Sequence, residues 1–104
     1  MRKIISLFLI GLRVLCFSQS HSFESTPYYW ISGLDSGLDR PEGIDFSPDG
    51  HYFVVSNSNG NSITFYSIDE PDTPIFVLSG PKTKLNYPHD VSFSHDGKWL
   101  SVAN

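Results

Sequence analysis

Two residues in this 104-residue chain combine suitable chemistry with matching positions: Glu42 and His89. Each directly follows a proline, Pro41 and Pro88, and each precedes a short run of β-forming residues. A carboxylate can ligate a cation or accept a proton, and an imidazole can do either near neutral pH. Asp90 and Asp45 stand next to the same runs, and Asp90 joins Glu42 and His89 as a candidate ligand-binding residue. The alternative for all of them is plain: polar side chains at an exposed junction between a loop and a strand, or structural hydrogen bonding.

Other polar residues read as structural. Asp49 and Asp96 sit in turns, and His51 and His95 flank them. His89 and His95 are six residues apart, which is not a zinc spacing. Asn57 and Asn104 recur at strand ends, where an amide side chain satisfies loose backbone groups. Trp30, Tyr52 and Trp99 fall at strand positions and read as packing between sheets. There is no G-x-S-x-G elbow, H-E-x-x-H pair, phosphate-cradling glycine loop or EF-hand calcium loop.

The matching positions of Glu42 and His89 come from an internal repeat. A shift of 47 aligns residues 26–57 with 73–104 without a gap. Twelve of those 32 positions are identical, where ordinary residue frequencies give about two. FSPDGHYFVVSN at 46–57 thus returns as FSHDGKWLSVAN at 93–104. A period of this length indicates an array of equivalent supersecondary units. The complete unit reads as four strands: Ile44–Ser47, Tyr52–Ser56, Ser62–Ile68 and Ile75–Leu78. Ser47-Pro48-Asp49-Gly50 has the residues of a tight turn, and NSNGN at 57–61 contains Asn-Gly, a hairpin signal. Ile75-Phe76-Val77-Leu78 is apolar throughout, and Tyr52-Phe53-Val54-Val55 nearly so. Such strands call for cover on both faces, which radial stacking of four-stranded sheets provides. The expected fold is therefore all-β: a partial β-propeller of about one and a half four-stranded antiparallel blades.

PEGIDFSPDGHYFVVSN and PHDVSFSHDGKWLSVAN, with NSITFYSI between them, resemble the repeats of YVTN-type and lactonase-like β-propellers over residues 26–104. Gluconolactonase-like propellers share much of this pattern, whereas the Trp-Asp signature of WD repeats is absent. The resemblance implies that the first strand of each blade lines a central channel, placing Glu42 and His89 near its mouth on successive blades. Pro88-His89 matches the family's start to that strand. Glu42 stands where gluconolactonase-like repeats often carry an asparagine metal ligand, which makes it a possible metal ligand that departs from the pattern. A divalent cation is conceivable in a complete propeller, and no cofactor is implied for the chain alone.

Tyr28–Ser32 aligns with the fourth strand, and in the resembled family such an N-terminal strand completes the last blade. Residues 26–104 make fewer than two blades, where a ring needs at least about four. The expectation is a truncated or split product, or a chain whose missing blades come from another chain or from self-association. Half a dozen uncovered apolar side chains forfeit on the order of 10 kcal/mol. The leading function is binding or scaffolding, without a complete catalytic site. The alternatives are the N-terminal part of a lactone-hydrolysing enzyme completed by missing blades, and a gene product without function.

The start, MRKIISLFLIGLRVLCFSQS, sets a basic pair before an apolar run and then small polar residues. That layout suggests a secretory signal over residues 1–22, followed by the propeller fragment over 23–104, and hence an exported protein. The alternative is an uncleaved apolar segment. The run is too short to span a bilayer. Cys16 is the only cysteine, follows Leu15 rather than the small residue a lipid anchor needs, and would leave with the signal. The net charge is −4, and three of the seven basic residues lie in the first thirteen positions. Residues 23–104 carry four basic residues against eleven acids, so nucleic acid is not an expected partner.

Overall fold

A computed structural model describes residues 2–8, 13–19, 27 and 29–104, with the side chains of residue 27 and of 29–104. Among the described residues, nine strands form three antiparallel sheets. Strands β1 (Arg2–Phe8), β2 (Arg13–Gln19) and β3 (Tyr29–Ile31) make the first, in that order. Strands β4 (Pro41–Phe46), β5 (Tyr52–Asn57), β6 (Ser62–Ser67) and β7 (Phe76–Leu78) make the second, and β8 (Asp90–Phe93) with β9 (Leu100–Ala103) the third. Two short 3-10 turns, Leu34–Ser36 and Pro81–Thr83, precede β4 and β8, and no α-helix occurs among the described residues. The all-β partial propeller is thus present as one full blade and the first two strands of the next. The expected cleavage region near residue 22 lies outside the described residues. Upstream of it, the backbone of 13–19 pairs on one side with 2–8 and on the other with Tyr29–Ile31.

The repeat holds down to single hydrogen bonds. In the first turn, Gly50 N–H donates to the Ser47 carbonyl at 2.9 Å, and the Ser47 hydroxyl donates to Asp49 at 2.6 Å. Asp49 also accepts from the His51 N–H at 3.0 Å. Ser94, Asp96, Gly97 and Lys98 repeat all three bonds. Gly50 and Gly97 take the left-handed conformation that closes the turn, with φ of 76° and 72°. The serine hydroxyls, then the backbone N–H groups, hold Asp49 and Asp96 below the usual carboxylate range. Asn57 and Asn104 play the expected structural part: their side-chain oxygens accept the N–H groups of Asp39 and Asn86 at 3.0 and 2.7 Å.

The central sheet β4–β7 buries both of its faces. Val54 and Val55, adjacent on β5, are both fully buried because alternation sends them to opposite sides. Phe53, Val55 and Tyr66 pack with Ile31 and Leu38 on one side. Val54 and Ile63 pack with Val91, flanked by Phe93, Leu100 and Val102, on the other. The rings of Phe53 and Tyr66 stack at 4.8 Å. Burial pushes the Tyr66 hydroxyl up to about 12, so it remains a donor, and it bonds the Ser36 carbonyl at 2.6 Å.

Two expectations need correction. Strand β7 is not covered on both faces: Phe76, on the face toward the following blade, is 56% exposed, and Val77, on the opposite face, is 44% exposed. Trp30, Tyr52 and Trp99 do not pack between sheets but lie exposed at sheet margins. The expected NSNGN loop does close the hairpin between β5 and β6. Asn57 pairs with Ser62, which leaves four loop residues, and Asn61 rather than Gly60 takes the positive φ, 48°.

The two blades touch most closely where β4 meets β8. Asp45 accepts its neighbour Phe46 N–H at 2.9 Å and, across the gap, Phe93 N–H at 2.8 Å. A Cβ placed on Gly43 would lie 2.7 Å from the Asp90 Cα and 2.8 Å from the Ser56 hydroxyl. Gly43→Ala is therefore expected to destabilise the chain by about 1–3 kcal/mol, the scale of overpacking in a fixed interior. Urea denaturation measures this, and an unchanged midpoint would show that the blades do not meet there.

Candidate functional site

Strands β4 and β8 start at the same end of the molecule, and their first residues build the site. Pro41 and Pro88 are fully buried and fix the two chains as they enter the sheets. The residues before them, Arg40 and Tyr87, adopt φ of 56° and 52°, a left-handed conformation uncommon for side-chain-bearing residues. At Arg40 this turns the carbonyl toward the β5–β6 loop, where it accepts the Ser58 N–H at 3.0 Å. Beyond each proline the chain extends, and Glu42 and His89 project from equivalent places on adjacent blades.

The structure brings these two candidates together. Nδ1 of His89 bonds Oε2 of Glu42. The other carboxylate oxygen, Oε1, accepts the Ser58 hydroxyl at 2.8 Å and lies 3.3 Å from Nε of Arg40. The Glu42 side chain is only 16% exposed, whereas that of His89 is 62% exposed. The hydrogen bonds from His89 and then Ser58, with weaker attraction from the charges of His89 and Arg40, hold the Glu42 carboxyl below the usual glutamate range. Glu42 is thus an ionised, three-partnered group. Nε2 of His89 has no hydrogen-bond partner among the described residues.

Asp90 does not join this pair. It is exposed, and its side chain accepts the Val91 N–H at 2.9 Å. Asp45 serves the contact between blades described above. No group of three His, Cys, Asp or Glu side chains able to hold a metal ion occurs among the described residues. Glu42, the metal candidate, has both oxygens engaged with protein donors.

Arg40 and Ser58 complete the cluster and were not singled out from the sequence. The signal for Ser58 lies in the Ser47–Gly50 turn. That turn sets β4 against β5 in register, bringing the end of β5 beside Pro41, so the residues after Asn57 must fall next to Glu42. Arg40 gives no comparable signal, since its repeat counterpart is Tyr87. Arranged this way, the group can orient one imidazole with a half-buried carboxylate and leave its second nitrogen open to a reactant.

The sequence and fold agree with those of known proteins. Residues 18–104 match the family model described as Lactonase, 7-bladed beta-propeller. Among solved structures, a functionally unknown protein from Desulfotomaculum acetoxidans DSM 771 is 27% identical, with a TM-score of 0.69, over 89% of this chain and 28% of its own. A candidate 6-phosphogluconolactonase from Bacteroides uniformis superposes with a TM-score of 0.72 at 18% identity, over 98% of this chain and 30% of its own. Another from Bacteroides fragilis gives 0.72 at 20% identity, over 95% and 28%. These last two show likeness of fold alone, and the chain spans under a third of the length of each neighbour. No curated protein sequence matches it. With the family model covering most of the sequence and the repeat geometry as described, the chain belongs to the seven-bladed β-propeller lactonase family.

Proposed function

We propose that this chain supplies one wall of a lactone-hydrolysing propeller, with His89 as the general base and Glu42 as the residue that orients it. Its two first-strand starts among the described residues make it a binding piece of that assembly. The bond between Glu42 and Nδ1 of His89 carries this reading. A neutral imidazole that donates from Nδ1 carries its lone pair on Nε2, and a carboxylate at Nδ1 stabilises the imidazolium that forms when Nε2 takes a proton. Ser58 and Arg40 fill Oε1, which leaves Oε2 for the histidine.

The chemistry follows from that polarity. Nε2 of His89 removes a proton from a water as its oxygen adds to the lactone carbonyl. The ring C–O bond then breaks, and the imidazolium returns the proton to the departing ring oxygen. The product is the open hydroxy acid. Arg40, whose side chain is 63% exposed, adds positive charge beside the pair and favours an anionic substrate. Sugar lactones fit the family description, and the names of two structural neighbours point to a phosphorylated one.

With the chain in its blade-completed assembly, hydrolysis of a sugar δ-lactone is followed by acid release. His89→Ala is expected to lower kcat/KM by about 10²–10⁴-fold, the range for a lost general base. Glu42→Gln is expected to lower kcat by up to about 10⁴-fold with KM little changed, as for a lost orienting carboxylate. Full activity in His89→Ala would overturn the assignment. A second prediction concerns acid. Because the folded-state Glu42 carboxyl titrates below its ordinary value of 4.5, its contribution to stability is fully present above that pH and is lost as pH falls through the folded value. The difference in urea midpoint between wild type and Glu42→Gln should hold steady well above 4.5 and shrink below it. A difference that persists unchanged in stronger acid would contradict the ionised pair.

A further inference from the structure

The loop that joins β5 to β6 grips the approaches to both first strands. On the β4 side, the Ser58 N–H donates to the Arg40 carbonyl at 3.0 Å, and the Ser58 hydroxyl reaches Glu42 at 2.8 Å. The Asn59 amide donates to the Asp39 carboxylate at 3.0 Å. Gly60 leaves little space between loop and segment, since a Cβ there would lie 3.1 Å from the Asp39 Cβ. The loop is therefore fixed to the residues that lead into β4. Its last residue connects to the next blade: Oδ1 of Asn61 accepts the Tyr87 N–H at 2.7 Å, on the segment that leads into β8. Both ends of that bond have left-handed backbone, with φ of 48° at Asn61 and 52° at Tyr87. Asparagine adopts this conformation with little penalty, whereas tyrosine does not, and the proline that follows it favours extended backbone. A contact from outside the local chain must hold Tyr87 there, and the Asn61 side chain supplies it.

Strand β8 is thus tied to the preceding blade at each end. Beyond its start the Phe93 N–H donates to Asp45 at 2.8 Å, and ahead of it the Tyr87 N–H donates to Asn61. Within its own sheet, the His89 N–H donates to the Ala103 carbonyl at 2.8 Å. That bond fixes His89 in its blade, but its distance from Glu42 is set by the ties that cross between blades. We infer that Asn61 is a positioning residue for the Glu42–His89 pair. It sets how closely the start of β8 approaches the start of β4, while Ser58, three residues earlier, orients Glu42. One loop thereby serves both partners. This rests on the reading of His89 as the base and Glu42 as its orienting group, and extends it to a residue that acts on the pair through the backbone.

The tautomer of His89 supplies a direct test. A neutral imidazole that donates from Nδ1 to a carboxylate keeps its proton on that nitrogen. The full chain, isotope-labelled at its histidine nitrogens, is observed by NMR in alkaline solution, where imidazoles are neutral. The ring signals of His89 are assigned by their loss in His89→Gln. Wild type is expected to show the Nδ1–H tautomer alone. Asn61→Gly keeps the left-handed backbone without strain and loses the acceptor, and should show both tautomers. Asn61→Asp keeps an acceptor on a residue that tolerates the same backbone, and should restore the single tautomer. In the blade-completed assembly, Asn61→Gly should lower kcat by about 10–100-fold with KM little changed, the scale of a reacting group displaced by about 1 Å. Asn61→Asp should recover most of that loss. A single Nδ1–H tautomer that survives Asn61→Gly, or a mixture in both variants, would overturn the role of Asn61 and leave the pair standing. A mixture in wild type would overturn the pair itself, and with it the reading on which this inference rests.

Discussion

Burial of the central sheet from both sides is the constraint on which the rest depends. A four-stranded sheet whose second strand is apolar on both faces cannot be stable with one face in water. Here the neighbours on either side supply the missing cover, Ile31 and Leu38 from one and Val91 with its flanking residues from the other. Stacking of this kind brings equivalent strands into equivalent places. Glu42 and His89 meet because β4 and β8 are successive first strands, and their pairing is a by-product of the repeat.

The polar contacts between blades work within that geometry. Asp45 spans from β4 to the Phe93 N–H, and Gly43 leaves room for the Asp90 backbone. A side chain at Gly43 would hold the strands apart at the point where the Glu42–His89 bond must close. Packing and site are thus coupled through a few residues at the starts of two strands. The acid-side behaviour of Glu42 follows from the same closeness, since the imidazole on the next blade is the largest influence holding its carboxyl ionised.

Much of this is legible in the sequence, for physical reasons that differ by element. The turn at Ser47–Gly50 announces itself because its side-chain bonds are local, and its copy at Ser94–Gly97 repeats them. Glu42 and His89 stand out because proline and repeat position mark them. Ser58 is harder to find, since its role depends on the register of β5 against β4. Uniform hydrophobicity in Ile75–Leu78 misleads: it reports cover within a complete ring, while in this chain the outer strand remains largely open.

Native-state hydrogen exchange on the full chain tests the two-sided packing most directly. Amides of β5 and β6 should exchange slowest and together, at the free energy of global unfolding, with β7 and β9 exchanging well before them. Rapid exchange at Val54 and Val55, or protection of β7 equal to that of β5, would show that the sheet is not held from both faces.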